Sequence, residues 1–176
     1  MVSVDRCEDI VLPHLDAAYR LARWLMRNEH DAEDVVQEAV LRACRYVRTF
    51  SGQNSRAWFL RIVRNVCYSW AGQRRRSLED EFDEERHSTA QTSLDPETLL
   101  LQAADASLVE DTLNRLPARS REFLVLREIE GLSYQELADV LEVPIGTVMS
   151  GLSRARRAFR AALESQIDHC MEKTCA

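Results

Sequence analysis

The stretch LSYQELADVLEVPIGTVMSGLSRARRAF, Leu132 to Phe159, decides the fold. Ser133 and Glu136 stand three apart, the spacing of a capping box, and open a short helix whose inner face is Tyr134, Leu137, Ala138 and Leu141. Glu142, Val143 and Pro144 make a turn, after which a longer helix buries Val148, Leu152, Ala155 and Phe159. This is the outline of a helix-turn-helix. The outer face of the longer helix holds Thr147, Ser150, Arg154 and Arg157, flanked by Met149, Ser153, Arg156 and Arg160. Small hydroxyl side chains near a helix start allow close approach to DNA, and arginines further along reach phosphates and base edges. An isolated basic helix is more often a solvated surface. The cap, the turn and the lack of acids from Ile145 to Leu163 together favour a major-groove face.

Working outward from this motif, the pattern is helical throughout. Leu12, Leu15, Ala18, Tyr19, Ala22, Leu25 and Met26 recur at spacings of three and four and predict a first amphipathic helix. Asp31 is placed to cap a second, with Ala32, Val35, Val36, Ala39, Val40, Ala43 and Val47 inside. A third runs from about Arg56 to Gly72 over Phe59, Ile62, Val63, Val66, Cys67 and Trp70. Asp95 and Pro96 open a fourth, with Leu99, Ala103, Ala106, Val109, Leu113 and Leu116 inward and Pro117 at its end. A fifth extends from about Arg119 to Glu130. With no alternating strand pattern, the expected fold class is all-α: two small helical domains joined by an acidic flexible linker. The expected boundaries are 8–76, linker 77–94, 95–166, and a tail 167–176.

Composition agrees: 176 residues, 45% apolar, 30% charged, 5 Gly and 4 Pro make a helix-rich chain able to bury a core. No charge-free run is long enough for a membrane span, and the acidic start lacks the basic region of a secretory signal, so a soluble cytoplasmic protein without direct membrane insertion is expected. The net charge of −6 argues against nucleic-acid binding only when averaged over the chain. Six arginines and no acid lie between Arg56 and Arg76, whereas eleven acids face Arg86 alone between Ser77 and Asp111. All basic residues except Lys173 are arginine, whose planar fork suits phosphate, although genomic composition produces the same bias. The acidic run 77–94, extended at ~3.3 Å per residue, reaches roughly 60 Å.

The outward face of the third helix carries Trp58, Arg61, Arg64, Asn65 and Tyr68. Rings stack on unpaired bases, arginines hold phosphates and an amide reads a base edge, so this face suits a single strand. Packing of Trp58 and Tyr68 at a helix-helix seam is the equal alternative. The second helix presents Glu33, Asp34, Gln37, Glu38 and Leu41, either a solvated face or a docking surface for an arginine-rich partner. Five cysteines, an odd number without regular spacing, read as reduced thiols, with Cys44 and Cys67 as core residues. His169, Cys170 and Cys175 in the tail are candidate metal or oxidation sensors, but match no standard zinc spacing. His14, His30 and His87 join no catalytic constellation, no glycine-rich phosphate loop is present, and neither an enzyme nor a cofactor or small-molecule substrate is expected.

DAEDVVQEAVLRACRYVRTF (31 to 50) with AWFLRIVRNVCYSWAGQRRR (57 to 76) resembles region 2 of bacterial sigma-70-type initiation factors, and LNRLPARSREFLVLREIEGLSYQELADVLEVPIGTVMSGLSRARRAF (113 to 159) resembles their region 4. The order of the two motifs, the short N-terminus and the lack of an intervening domain are similar to the extracytoplasmic-function group. The resemblance implies a fold of two lobes and a specificity subunit of RNA polymerase. It implies that Asp34, Gln37, Glu38 and Leu41 dock on the β′ clamp helices and that a β flap contact exists. The loop Phe50 to Arg56 with Trp58, Arg61, Arg64, Asn65 and Tyr68 would capture bases of the −10 element, and Thr147, Ser150, Arg154 and Arg157 would read the −35 element. It further implies promoter DNA and an anti-sigma factor as partners, and a linker threading polymerase channels. Where many relatives carry basic residues, this chain has Gly151 and Met149, which implies a lost phosphate contact at Gly151 and altered −35 recognition. The alternative class is a stand-alone helix-turn-helix regulator that binds duplex DNA without polymerase.

Overall fold

The structure, a computed structural model, describes residues 2–52, 54–77 and 96–174. Among them are eight α-helices: α1 (Val2–Val11), α2 (Leu15–Met26), α3 (Glu29–Tyr46), α4 (Ser55–Ser77), α5 (Pro96–Arg115), α6 (Ala118–Leu124), α7 (Tyr134–Leu141) and α8 (Ile145–Thr174). The expected linker 77–94 lies outside the described residues except for Ser77, which ends α4; so do Cys175 and the side chains of His169 and Cys170. No helix among the described residues is long and apolar enough to cross a membrane.

The first lobe is α1 to α4. Its second and third helices are joined by a two-residue turn in which Arg27 takes the left-handed conformation (φ 59°) and Asn28 is extended. Asn28, not Asp31, caps α3: its side-chain oxygen accepts from the Asp31 amide at 3.2 Å, so Asp31 sits inside the first turn, where its charge favours the helix dipole. Ala17, Ala18, Leu21 and Ala22 of α2 and Ala32, Val35, Ala39 and Ala43 of α3 are buried against Phe59, Leu60, Val63 and Val66 of α4. The small residues on α2 and α3 let the helices approach, and the large ones on α4 fill the space; each fully buried Leu or Phe contributes about 2 kcal/mol.

Two features were not legible. The sequence pattern begins the first helix near Leu12, but a separate α1 precedes it and packs on α3 and α4. That helix lays Cys7 against the last turns of α3, where it forms a disulfide with Cys44 (Cα–Cα 5.2 Å), which corrects the expectation that Cys44 is a reduced core thiol. Cys67 is free and buried, its thiol pushed up to about 12 by desolvation and, secondarily, by the Glu122 charge.

The second lobe is α5 to α8. Thr112, Leu113 and Leu116 bury the end of α5, with the Thr112 hydroxyl donating to Gln166 Oε1 of α8 at 2.7 Å. Ala106 and Val109, expected inward, are exposed, because the buried stripe turns toward Thr112. The expected helix from Arg119 to Glu130 ends its α-form at Leu124 and continues as a wide π-turn, Val125–Ile129, with the Glu130 amide donating to the Val125 carbonyl at 2.9 Å. This widening sends Glu128 toward Arg156 on α8 (2.7 Å) and Glu130 toward the first lobe. Gly131 then leaves in the left-handed conformation (φ 67°).

Candidate nucleic-acid interface

The helix-turn-helix forms as its sequence requires. The Glu136 amide donates to Ser133 Oγ at 3.2 Å and the Ser133 amide to Glu136 Oε2 at 2.6 Å, a complete capping box. Glu142 closes α7 in the left-handed conformation (φ 55°), and the Thr147 and Val148 amides start α8 on the Pro144 carbonyl. Val148, Leu152 and Ala155 are buried; Ser150, Arg154 and Arg157 are exposed along one face and Thr147 is half-buried at its start. Met149 is exposed beside them.

Gly151 is buried and does not belong to that face. A Cβ there would lie 2.5 Å from the Phe123 ring, so a side chain at this position would enter the α6–α8 contact instead of reaching phosphate. The expected loss of a DNA contact at Gly151 is therefore replaced by a packing role: the glycine lets α8 close on Phe123.

On α4 the five candidate residues divide three ways. Trp58 and Arg61, with Thr49, Phe50, Ser51, Gly52 and Asn54, line an open cleft of about 430 Å³, in which the Phe50 and Trp58 rings lie 5.0 Å apart. Asp139 of α7 borders the same cleft. Asn54 accepts from the Ala57 amide (2.9 Å), capping α4, and its amide donates to Glu136 Oε1 (2.7 Å). Further along, Arg64 Nε donates to Glu122 Oε1 at 2.7 Å and the Tyr68 hydroxyl to Glu122 Oε2 at 3.1 Å, while Asn65 stays exposed. Burial raises the Glu122 carboxyl above the usual range, against the pull of Arg64; it also pushes the Tyr68 phenol to about 12, with the Glu122 charge adding to it. Of the arginines that end α4, Arg74 pairs with Asp31.

The second lobe thus sits on the expected single-strand face of the first, and sequence reasoning missed the groups that hold it there. Glu130, its side chain fully buried, receives Arg20 Nε at 2.8 Å and Arg56 Nη2 at 2.9 Å; Arg61 approaches Glu142 at 3.9 Å and Arg23 approaches Glu110 at 3.7 Å. In each of these ion pairs the cation belongs to the first lobe and the anion to the second. No local pattern could reveal them, since the partners lie 58 residues apart for Arg64 and Glu122 and 110 apart for Arg20 and Glu130. The α3 face is different: Asp34, Gln37 and Leu41 are exposed and Glu38 pairs with Arg42 one turn away (2.7 Å), while α3 packs inward on α1, α2 and α4.

The family model for Sigma-70 region 2 matches residues 10–77, and that for Sigma-70 region 4 matches residues 107–159. The chain is 36% identical over 152 residues to the ECF RNA polymerase sigma-E factor of Haemophilus influenzae, covering 82% of this chain and 79% of that one. It is 33% identical over 153 residues to the ECF RNA polymerase sigma factor SigE of Mycolicibacterium smegmatis, covering 87% of this chain and 60% of that relative's length. Among solved structures it is similar to the sigma factor RpoE of Bartonella quintana in complex with the anti-sigma factor NepR: 28% identity, TM-score 0.74, covering 89% of this chain and 96% of that one.

Proposed function

From the premise that the chain belongs to the sigma-70 family, as an ECF-type sigma factor, a non-catalytic RNA polymerase subunit that directs promoter-specific initiation, we propose how its residues divide that work. The first lobe (8–76) binds core polymerase and the −10 element; the second (95–166) binds the −35 element; the acidic segment 77–94 connects them. The observation that carries this reading is the presence of both regions, in order, on one chain.

Asp34, Gln37, Glu38 and Leu41 are assigned to the β′ clamp helices. Their support is an acidic, largely exposed face with an outward leucine, 55% exposed, that the described residues leave uncovered. The Phe50–Trp58 cleft with Arg61 and Asn65 is assigned to flipped −10 bases, where aromatic stacking of ~1–3 kcal/mol per base offsets the cost of unpairing. Arg64 and Tyr68 join them only after Glu122 is withdrawn, so DNA capture requires the lobes to part. Thr147, Ser150, Arg154 and Arg157 form the −35 face, which is open in the closed form. The second lobe is also assigned to the β flap, and the chain is placed in the cytoplasm with its polymerase.

An anti-sigma factor is the proposed regulator, by likeness to the RpoE complex with NepR. Its chemistry is to hold closed what the ion pairs already close.

Reconstituted transcription tests the assignment. Purified chain with core polymerase is expected to start transcription from a discrete set of genomic promoters, and Arg154→Ala or Arg157→Ala to weaken each start by ~1–3 kcal/mol of DNA contact. No initiation from any genomic template with active core overturns the reading. Tight, specific gel shifts of duplex DNA without polymerase would favour the stand-alone regulator instead.

A further inference from the structure

We propose that Cys7 and Cys44 form a reversible redox site that sets the position of the loop used for base capture. The inference rests on the assignment of that loop to −10 bases. The two cysteines come from different helices, 37 residues apart, and their bond ties α1 to the end of α3. Cys7 is 1% exposed, whereas Cys44 is exposed at the surface. Cys44 is therefore the more accessible of the two residues, and exchange is expected to proceed through it. In a compartment kept reducing by low-molecular-weight thiols, a bond of this kind is a reporter, not a permanent staple.

The bond also has somewhere to send its state. Arg6, the residue before Cys7, donates from Nη2 to the Phe50 carbonyl at 3.1 Å. Between Cys44 and Phe50 the chain finishes α3 and makes the short 3-10 turn Val47–Thr49, against which α1 also packs. Helix α1 thus clasps the segment 44–50 at both ends, covalently at Cys44 and by a hydrogen bond at Phe50. The Phe50 ring, 5.0 Å from Trp58, is one wall of the cleft. When the bond is cut, α1 is held to this loop by its packing on the Val47–Thr49 turn and the Arg6–Phe50 hydrogen bond, without the covalent tie, and the wall of the cleft loosens.

Both directions balance. In reduction, a thiolate of glutathione type attacks Cys44 Sγ and Cys7 leaves as thiolate and takes a proton. A second thiol then displaces the mixed disulfide, so two small thiols are oxidised to their disulfide and two protein thiols appear. In oxidation, a hydroperoxide takes the Cys44 thiolate to a sulfenic acid, releasing the corresponding alcohol or water; Cys7 sulfur then attacks it and water is lost.

The test uses the full chain, first alone and then with core polymerase. After hydrogen peroxide, alkylation and digestion, a Cys7–Cys44 linked peptide is expected, and it is expected to disappear in a glutathione buffer. Absence of the linked peptide after peroxide, or its persistence in glutathione, overturns the proposal. The oxidised holoenzyme is expected to bind single-stranded −10 DNA roughly fivefold more tightly than the reduced one, at the lower end of coupling between linked sites. Cys44→Ser is expected to behave as reduced in both conditions, and Cys170→Ser with Cys175→Ser to respond like the unaltered chain. Equal binding in the two redox states overturns the link to the loop. If the holoenzyme initiates nowhere in either state, the sigma assignment fails, and the peptide analysis still decides the cysteine pair.

Discussion

Arg64 of α4 and Glu122 of α6 meet at 2.7 Å across the seam between the lobes, with the glutamate side chain 1% exposed and the arginine 19%. Under the proposed −10 role of Arg64, a carboxylate here takes the place that a phosphate or base edge would take. Breaking the pair from the acid side is expected to open the molecule. Glu122→Lys sets two cations together, and small-angle scattering is expected to show a radius of gyration several Å above the ~16 Å of a compact chain of this size. The same variant is expected to bind single-stranded DNA more tightly without polymerase. An unchanged radius would mean that the apolar contacts of the seam hold it without this pair.

Glu130 makes a second, stronger point of closure because two arginines share it. Removing Arg20 alone leaves Arg56 in place and is expected to cost about 1 kcal/mol in urea unfolding. Removing both strands a carboxylate whose side chain is fully buried, and the loss is expected to rise toward ~3 kcal/mol, limited by the freedom of the lobes to part. Glu130→Gln in the doubly altered chain is expected to recover most of that loss. Without this recovery, the arginines stabilise by packing and not by charge.

Gly151→Ala poses helix propensity against packing. Alanine in place of a mid-helix glycine stabilises by ~1 kcal/mol, but the new methyl would lie 2.5 Å from the Phe123 ring. Overpacking of this kind costs ~1–3 kcal/mol, so a net fall in thermal midpoint is expected. Phe123→Leu in the same chain is expected to turn the fall into a gain. A rise with Gly151→Ala alone would show that Phe123 has room to move.

The capping box should make α7 acid-sensitive. The Ser133 amide, then the Ser133 hydroxyl, Asn54 and Arg56, hold the Glu136 carboxyl below its ordinary value of 4.5, burial opposing them. A group whose pKa is lower folded than unfolded stabilises at pH above the unfolded value and loses that contribution as pH falls through the folded one. Unfolding midpoints are therefore expected to fall below pH 4.5, with a shallower fall in Glu136→Gln. Identical pH profiles for the two proteins would remove Glu136 as a source.

Much of the second lobe could be read from sequence because its signals are local: Ser133 and Glu136 three apart, Pro144 in the turn, Val148, Leu152 and Ala155 on one stripe. Gly151 was also legible in principle, three residues after Val148 and four before Ala155, which puts it on that same inward stripe. The lobe-to-lobe seam was not, because nothing near Arg64 in the chain announces Glu122. Nor was the π-turn at Val125–Ile129, whose apolar pattern reads equally well as plain α-helix. The five α4 candidates share a face, as their spacing requires, yet the fold splits them: Trp58 and Arg61 line an open cleft, Arg64 and Tyr68 meet Glu122, and Asn65 stays exposed.

The sorting of charge between the lobes has a consequence for initiation as a whole. Mobile ions screen the exposed pairs of the seam, Arg23–Glu110 and Arg61–Glu142, more than the buried Glu122 and Glu130 pairs, and they compete with arginine–phosphate contacts, so under the proposed roles rising ionic strength is expected to weaken both the closed form and the promoter complex. At low potassium the protein is expected to stay folded on itself, and at high potassium to release DNA. Transcript yield plotted against potassium is therefore expected to pass through a maximum, and a variant of the seam is expected to shift that maximum.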